Sequence, residues 1–174
     1  MKIILLGYMG SGKTTLGKAL AKKKNLSFID LDSYIEDKEN TSVKEIFATK
    51  GEIYFRKKET FYLNELLLSE KDFVLALGGG TPCFGNNMDF ISKATENTFY
   101  LKYNPKSLTE RLSAEKDARP LISHLKNEDL EEFIRKHLFE RNPYYLQANH
   151  VISMDNLSVE ESLEKIDNLL SSDK

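Results

Sequence analysis

Along the chain, short unbroken apolar runs take turns with longer stripes in which apolar residues recur every three or four positions. The first run, Ile3 to Leu6, stops at Gly7 and is too continuous for a strand with one wet face, so it predicts a strand covered on both sides. Leu16, Leu20 and Leu26 then keep one apolar face against Lys18, Lys22, Lys23 and Lys24. This predicts an amphipathic helix ending near Asn25, with its lysines where the helix dipole favours them. Phe28, Ile29 and Leu31 predict a second strand with Asp30 and Asp32 at its exit. Ser42 and Glu45 form a capping-box pattern ahead of Val43, Ile46 and Phe47, and Gly51 marks the end of that short helix. A long helix from Glu52 to Leu68 follows from Ile53, Phe55, Tyr62, Leu63, Leu66 and Leu67. Phe73 to Leu77 is a third strand running into Gly78, Gly79 and Gly80, and Thr98 to Leu101 is a fourth.

Beyond it, Pro105 with Ser107 and Glu110 opens a short helix, and the polar stretch from Ser113 to Lys126 predicts an exposed flap. Glu128 to Ala148 returns to helix through Leu130, Phe133, Ile134, Leu138 and Tyr145, with a kink or restart at Pro143. Val151, Ile152 and Met154 make a fifth strand, and Ser158 with Glu161 caps a last helix through Ile166 and Leu170. Strands alternating with helices predict an α/β domain with a mainly parallel sheet, and such sheets bind ligands beyond the carboxyl ends of their strands.

The chemistry gathers at those ends. Gly7 to Thr14 reads GYMGSGKT, which satisfies G-x-x-x-x-G-K-[ST] at every fixed position. A buried strand ends, glycines turn consecutive amides toward one point, and a helix begins there with its positive end, which suits phosphate. Lys13 would reach the β- and γ-phosphates, Thr14 would sit on magnesium, and Thr15 is a further phosphate contact. Asp30 and Asp32, two apart in an extended chain, would face one region of space; the alternative is a polar strand exit in which Asp32 caps the next helix. The glycine triplet suggests close approach of backbone to something bound, or else a simple reversal of the chain. Arg56 is either a site charge or part of a solvated helix face paired with Glu52 or Glu59. Arg119 is the charge that the flap could deliver.

Composition changes little. A chain of 174 residues with 40% hydrophobic content suggests one domain, and 25 basic against 27 acidic side chains, net −2, give no reason to expect nucleic acid or a membrane surface. The single Cys83 excludes an internal disulfide and a multi-cysteine zinc site. His124, His137 and His150 lack metal-ligand spacing. The opening apolar run is too short for a secretory signal, with Lys13 following at once.

Taken together, GYMGSGKTT, FIDLD, SVKEIFATKGEIYFRKKE, ALGGGT, ARPLI and ERNPYYLQA occur in the order and near the spacing of the shikimate kinase family, and the chain resembles that family nearly end to end. The resemblance implies a three-layer P-loop NTPase fold with a five-stranded sheet over residues 1–174, a substrate-binding helical segment near 33–61 and a lid near 113–126. It implies ATP-dependent phosphorylation of the 3-hydroxyl of shikimate, in the pathway to aromatic amino acids, by a cytoplasmic monomer using magnesium. Gly10, Ser11, Gly12, Lys13, Thr14 and Thr15 resemble the ATP phosphate cradle, with Asp30 holding the ion through water. Asp32 resembles the carboxylate that orients the reacting hydroxyl, Arg56 and Arg141 the clamp on the substrate carboxylate, and Gly78, Gly79 and Gly80 the amides offered to substrate. Arg119 resembles the lid arginine and Arg111 a base-stacking one. Met154 to Ser158 reads MDNLS where relatives commonly carry a basic or proline-containing adenine loop. A gluconate or nucleoside-monophosphate kinase would share the phosphate loop without the set Asp32, Arg56, Gly79, Arg141. A nucleotide-dependent switch would be marked by N/T-K-x-D, which the sequence lacks.

Overall fold

A computed structural model describes residues 1–116 and 121–172. Among them, strands β1 (Lys2–Leu6), β2 (Ser27–Asp30), β3 (Phe73–Ala76), β4 (Thr98–Lys102) and β5 (His150–Ser153) form one sheet in the order β2-β3-β1-β4-β5. Every pairing is parallel. The sheet is therefore fully rather than mainly parallel.

Alternation along the central strands assigns the two layers. Ile4 and Leu6 of β1, Phe73 and Leu75 of β3 and Tyr100 of β4 pack into one cluster; Ile3 and Leu5, Val74, and Phe99 and Leu101 pack into the other. Successive side chains of a strand point to opposite faces, so an unbroken apolar run feeds two cores at once. One face is covered by α1 (Lys13–Lys24) and α7 (Val159–Ser172), through Leu16, Leu20, Ile166 and Leu170. The other is covered by α2 (Leu31–Glu39), α3 (Val43–Leu68), α4 (Asn87–Ala94), α5 (Pro105–Ser113) and α6 (Asn127–Tyr145), through residues such as Ile35, Leu63, Ile91, Leu108 and Ile134. β1 lies between β3 and β4, so the chain's excursions part on either side of its carboxyl end, where a crevice opens.

Local chemistry departs from expectation in four places. Leu31 and Asp32 are helical, not extended: Asp30 is the cap of α2, its side chain accepting from the Asp32 and Ser33 amides at 3.2 and 3.4 Å. The cap of α5 is Asn104, which accepts from the Ser107 amide at 2.8 Å, with Pro105 in the first turn where its missing N–H costs nothing. α6 runs through Pro143 unbroken, although the Pro143 nitrogen has no hydrogen to donate to the Phe139 carbonyl. The stretch expected to be an exposed flap is anchored by Ile122, fully buried under the α5–α6 side of the core, while Arg119 lies outside the described residues. α4 is short and starts without a side-chain cap, so the sequence pattern does not announce it. Gly51, with φ 82°, breaks α3 into the two helices expected, and Ser158 and Glu161 exchange their expected reciprocal bonds at 2.7 and 3.1 Å.

Candidate active site

The loop between β1 and α1 folds around its own lysine. Lys13 Nζ donates to the carbonyls of Gly7 and Tyr8, both at 2.9 Å, and to Ser11 Oγ at 3.4 Å. Gly10 and Gly12 take left-handed φ values of 77° and 82°, which an L side chain rarely adopts, and the loop's turn depends on them. Thr14 Oγ1 donates to Asp30 Oδ2 at 3.0 Å, so the first turn of α1 and the end of β2 present hard oxygen donors side by side. The cleft these residues line, about 290 Å³, also holds Gly10, Thr15, Asp32, Gly78 and Gly79. A smaller cavity of about 110 Å³ adjoins it on the far side of Ser11 and Thr15, between Arg111 and the segment Met154 to Ser158. Arg111 spans both, donating from Nε to the Gly10 carbonyl at 2.8 Å and lying 5.0 Å from the Tyr103 ring centre.

Beyond the phosphate loop, the turn after β3 is packed against three charges in succession. A methyl group on Gly78 would stand 3.0 Å from Asp32 Oδ1, one on Gly79 3.2 Å from an Arg141 nitrogen, and one on Gly80 would overlap an Arg56 nitrogen. The triplet is thus a close-approach surface, and it brings Asp32, Arg56 and Arg141 to one turn. Tyr145 ties it down, its hydroxyl donating to the Gly79 carbonyl at 2.6 Å.

Arg56 does pair with Glu59, at 2.7 Å, and with Glu52, at 3.5 Å, yet its side chain is only 15% exposed and that of Glu59 1%. The solvated-face alternative named the right partners and the wrong setting. Glu59 also accepts from Thr81 Oγ1 at 2.6 Å. The sequence offers Glu59 only as an i, i+3 partner of Arg56 on a solvated helix face, and carries no signal for its bond with Thr81.

Burial holds the Asp32 carboxyl up at about 6, with the Glu59 and Asp30 charges adding to the effect and Lys13 and Arg56 opposing it. Burial likewise raises the Cys83 thiol, which removes it further from nucleophilic chemistry. Among the described residues no three His, Cys, Asp or Glu side chains converge as a protein-only metal site. The Thr14–Asp30 pair nevertheless fits magnesium, which takes one or two protein oxygens and completes its shell with phosphates and water.

A parallel sheet with a phosphate-loop motif after its central strand, a carboxylate lining the cleft there and two guanidinium groups packed on the glycine turn that borders it define a P-loop phosphotransferase acting on a small acidic acceptor. The shikimate kinase family model matches residues 9–171. A shikimate kinase of Flavobacterium psychrophilum is 46% identical, covering 97% of this chain and 98% of the relative. The crystal structure of the Bacteroides thetaiotaomicron shikimate kinase superposes with a TM-score of 0.91 at 40% identity, covering 98% of both chains. That of the Acinetobacter baumannii enzyme in complex with shikimate gives 0.86 at 34%, covering 99% of this chain and 94% of the other. The chain belongs to the shikimate kinase family.

Proposed function

We propose that this chain transfers the γ-phosphoryl group of ATP to the 3-hydroxyl of shikimate, giving shikimate 3-phosphate and ADP for aromatic amino acid biosynthesis. The observation that carries the reading is the glycine turn after β3, which touches Asp32, Arg141 and Arg56 at successive residues beside the phosphate loop. Two guanidinium forks suit a carboxylate, whose paired oxygens accept planar paired donors. Asp32 accepts from the ring hydroxyls and orients the reacting one; ionised, it also takes the proton as the oxygen attacks. The amides of Gly10 to Thr15 cradle the phosphates. Lys13, already held over the loop by its own carbonyl contacts, turns to the transferred group, where negative charge spreads over the outer oxygens.

Magnesium, held by Thr14 and through water by Asp30, would supply neutralising charge at the β- and γ-oxygens. The cavity beside Arg111, Tyr103 and Met154 to Ser158 receives the base. Residues 113–126 serve as the lid, with Arg119 closing on the phosphates, and 33–61 as the acceptor-binding segment of a single domain. The same reading has a cytoplasmic monomer acting on two small molecules, with neither nucleic acid nor membrane as partner. A net charge of −2 offers nucleic acid and anionic lipid no counter-charge, and among the described residues no helix is long and apolar enough to cross a membrane.

The test is ADP release from purified protein with ATP, magnesium and, in turn, shikimate, gluconate and nucleoside monophosphates. Shikimate alone should support turnover, EDTA should abolish it, and added magnesium should restore it. Turnover of gluconate or a nucleoside monophosphate without shikimate would replace this reading with its nearest rival in the same fold.

A further inference from the structure

We propose that Tyr8 is a positioning residue for Arg141: its ring is the platform that holds the acceptor-binding guanidinium in place while its main chain holds the phosphate-loop lysine. This rests on the reading of Arg141 as a ligand of the shikimate carboxylate. Tyr8 sits inside the phosphate loop at a position the G-x-x-x-x-G-K-T pattern leaves open, and it is 1% exposed. The Arg141 guanidinium carbon lies 5.6 Å from its ring centre, within the range where the ring quadrupole attracts a cation. Its carbonyl accepts from Lys13 Nζ at 2.9 Å. One residue therefore supports both the phosphate-loop lysine and the arginine packed on the glycine turn.

The platform is itself fixed. The Tyr8 hydroxyl is hydrogen-bonded to His137 Nδ1 at 2.9 Å, and the His137 ring stands edge-on to it at 5.5 Å and 88°. His137 lies one turn before Arg141 on α6 and packs on Phe133, 5.3 Å between ring centres. The helix that carries Arg141 thus grips the far end of the ring on which Arg141 rests. A buried hydroxyl left without a partner would be costly, so the histidine also makes a tyrosine tolerable here. Burial and the nearby Arg141 charge hold His137 down at about 4, so it stays neutral and brings no second cation to the ring. A free arginine tip loses rotamer freedom when it closes on a carboxylate, and a platform that orders it beforehand removes part of that loss.

The experiment is a graded weakening of the ring face at constant shape. Tyr8→Phe and phenylalanines carrying one, two and three ring fluorines are placed at position 8, with and without Arg141→Ala. Shikimate and a non-hydrolysable ATP analogue are titrated calorimetrically into each. With Arg141 present, the shikimate dissociation constant should climb with each fluorine, by roughly 2- to 30-fold across the series, while that of the ATP analogue stays level. With Arg141→Ala the series should be flat for shikimate as well. A flat series with Arg141 intact, alongside clear weakening by Arg141→Ala alone, overturns the platform and leaves the acceptor site standing. Unchanged shikimate binding in Arg141→Ala overturns both. Tyr8→Leu adds a coarser check on folded protein: its weakening of shikimate binding should vanish in the Arg141→Ala background, and an equal effect in both backgrounds contradicts the proposal.

Discussion

Asp32 is a carboxylate in surroundings that disfavour its charge, and the sign of that effect separates stability from activity. Its pKa is raised to about 6 by burial, Glu59 and Asp30 from the ordinary carboxylate value of 3.8, so the native state binds its proton more tightly than the unfolded chain does. Stability from this residue is therefore undiminished at low pH and falls as the pH rises between those two values, by up to about 3 kcal/mol once Asp32 is ionised. Asp32→Asn should consequently raise the melting temperature at pH 7.5, have no such effect near pH 3.5, and depress kcat far more than ATP affinity. Equal melting temperatures at pH 7.5 would place the carboxylate in a better-solvated site. Wild-type kcat/KM for shikimate should fall as the pH drops through about 6, when the acceptor-orienting charge is lost. Arg56 has the opposite coupling. Removing it leaves Glu59, 1% exposed, with Thr81 in place of a cation, so Arg56→Ala should destabilise the fold by about 3 kcal/mol as well as weaken shikimate binding. Adding Glu59→Gln should recover most of the stability and none of the binding, as read by denaturant melts and titration of shikimate on the same samples.

The glycine turn between β3 and the short 3-10 turn Thr81–Cys83 works by what it leaves out. Gly80 has φ −88°, a value open to any residue, so its only demand is space for the Arg56 tip. Gly80→Ala should cost about 1 to 3 kcal/mol and weaken shikimate binding by displacing Arg56, with ATP-analogue binding kept; an equal loss for both ligands would mean that the whole turn had moved. Elements of this kind mark the boundary of what sequence could show. The strands were legible because a buried run in a parallel sheet has few other readings, and the phosphate loop because its spacing is dictated by phosphate geometry. Asp30 and Asp32 line one cleft, but not as alternate residues of a strand: the cap is Asp30, two residues before the Asp32 that the sequence offers as the alternative, and Leu31 and Asp32 are helical. The Asn104 cap is masked in sequence because Ser107 and Glu110 offer a competing box within the same turn. Spacing offers Glu59 only as a partner of Arg56 on a wet helix face, and it does not mark Thr81 or Tyr8 at all, because what distinguishes these residues is the neighbour that tertiary packing supplies.

At the scale of the molecule, the order β2-β3-β1-β4-β5 puts the loops after β1, β2 and β3 on one rim, so groups far apart in sequence come close in space. Arg141 reaches that rim from α6, and Asp32 and Arg56 reach it from α2 and α3, elements packed on the same face of the sheet. A ligand that touches all three bridges elements that unfolding would separate, and it binds only when they are assembled. Shikimate at a hundred times its dissociation constant should therefore add about 2.7 kcal/mol to the stability of the native state, and for a chain of this size raise the melting temperature by roughly 5 to 10 °C. Gluconate at the same concentration should give no shift, because its open chain does not present the carboxylate and ring hydroxyls in one rigid frame. Arg56→Ala and Arg141→Ala should each lose most of the shikimate shift while keeping the shift given by a magnesium–ATP analogue. A scanning melt of the three proteins with each ligand checks this directly: if either arginine variant keeps the full shikimate shift, that arginine does not hold the acceptor, and the bridge between α6 and the α2–α3 pair must be drawn through other residues.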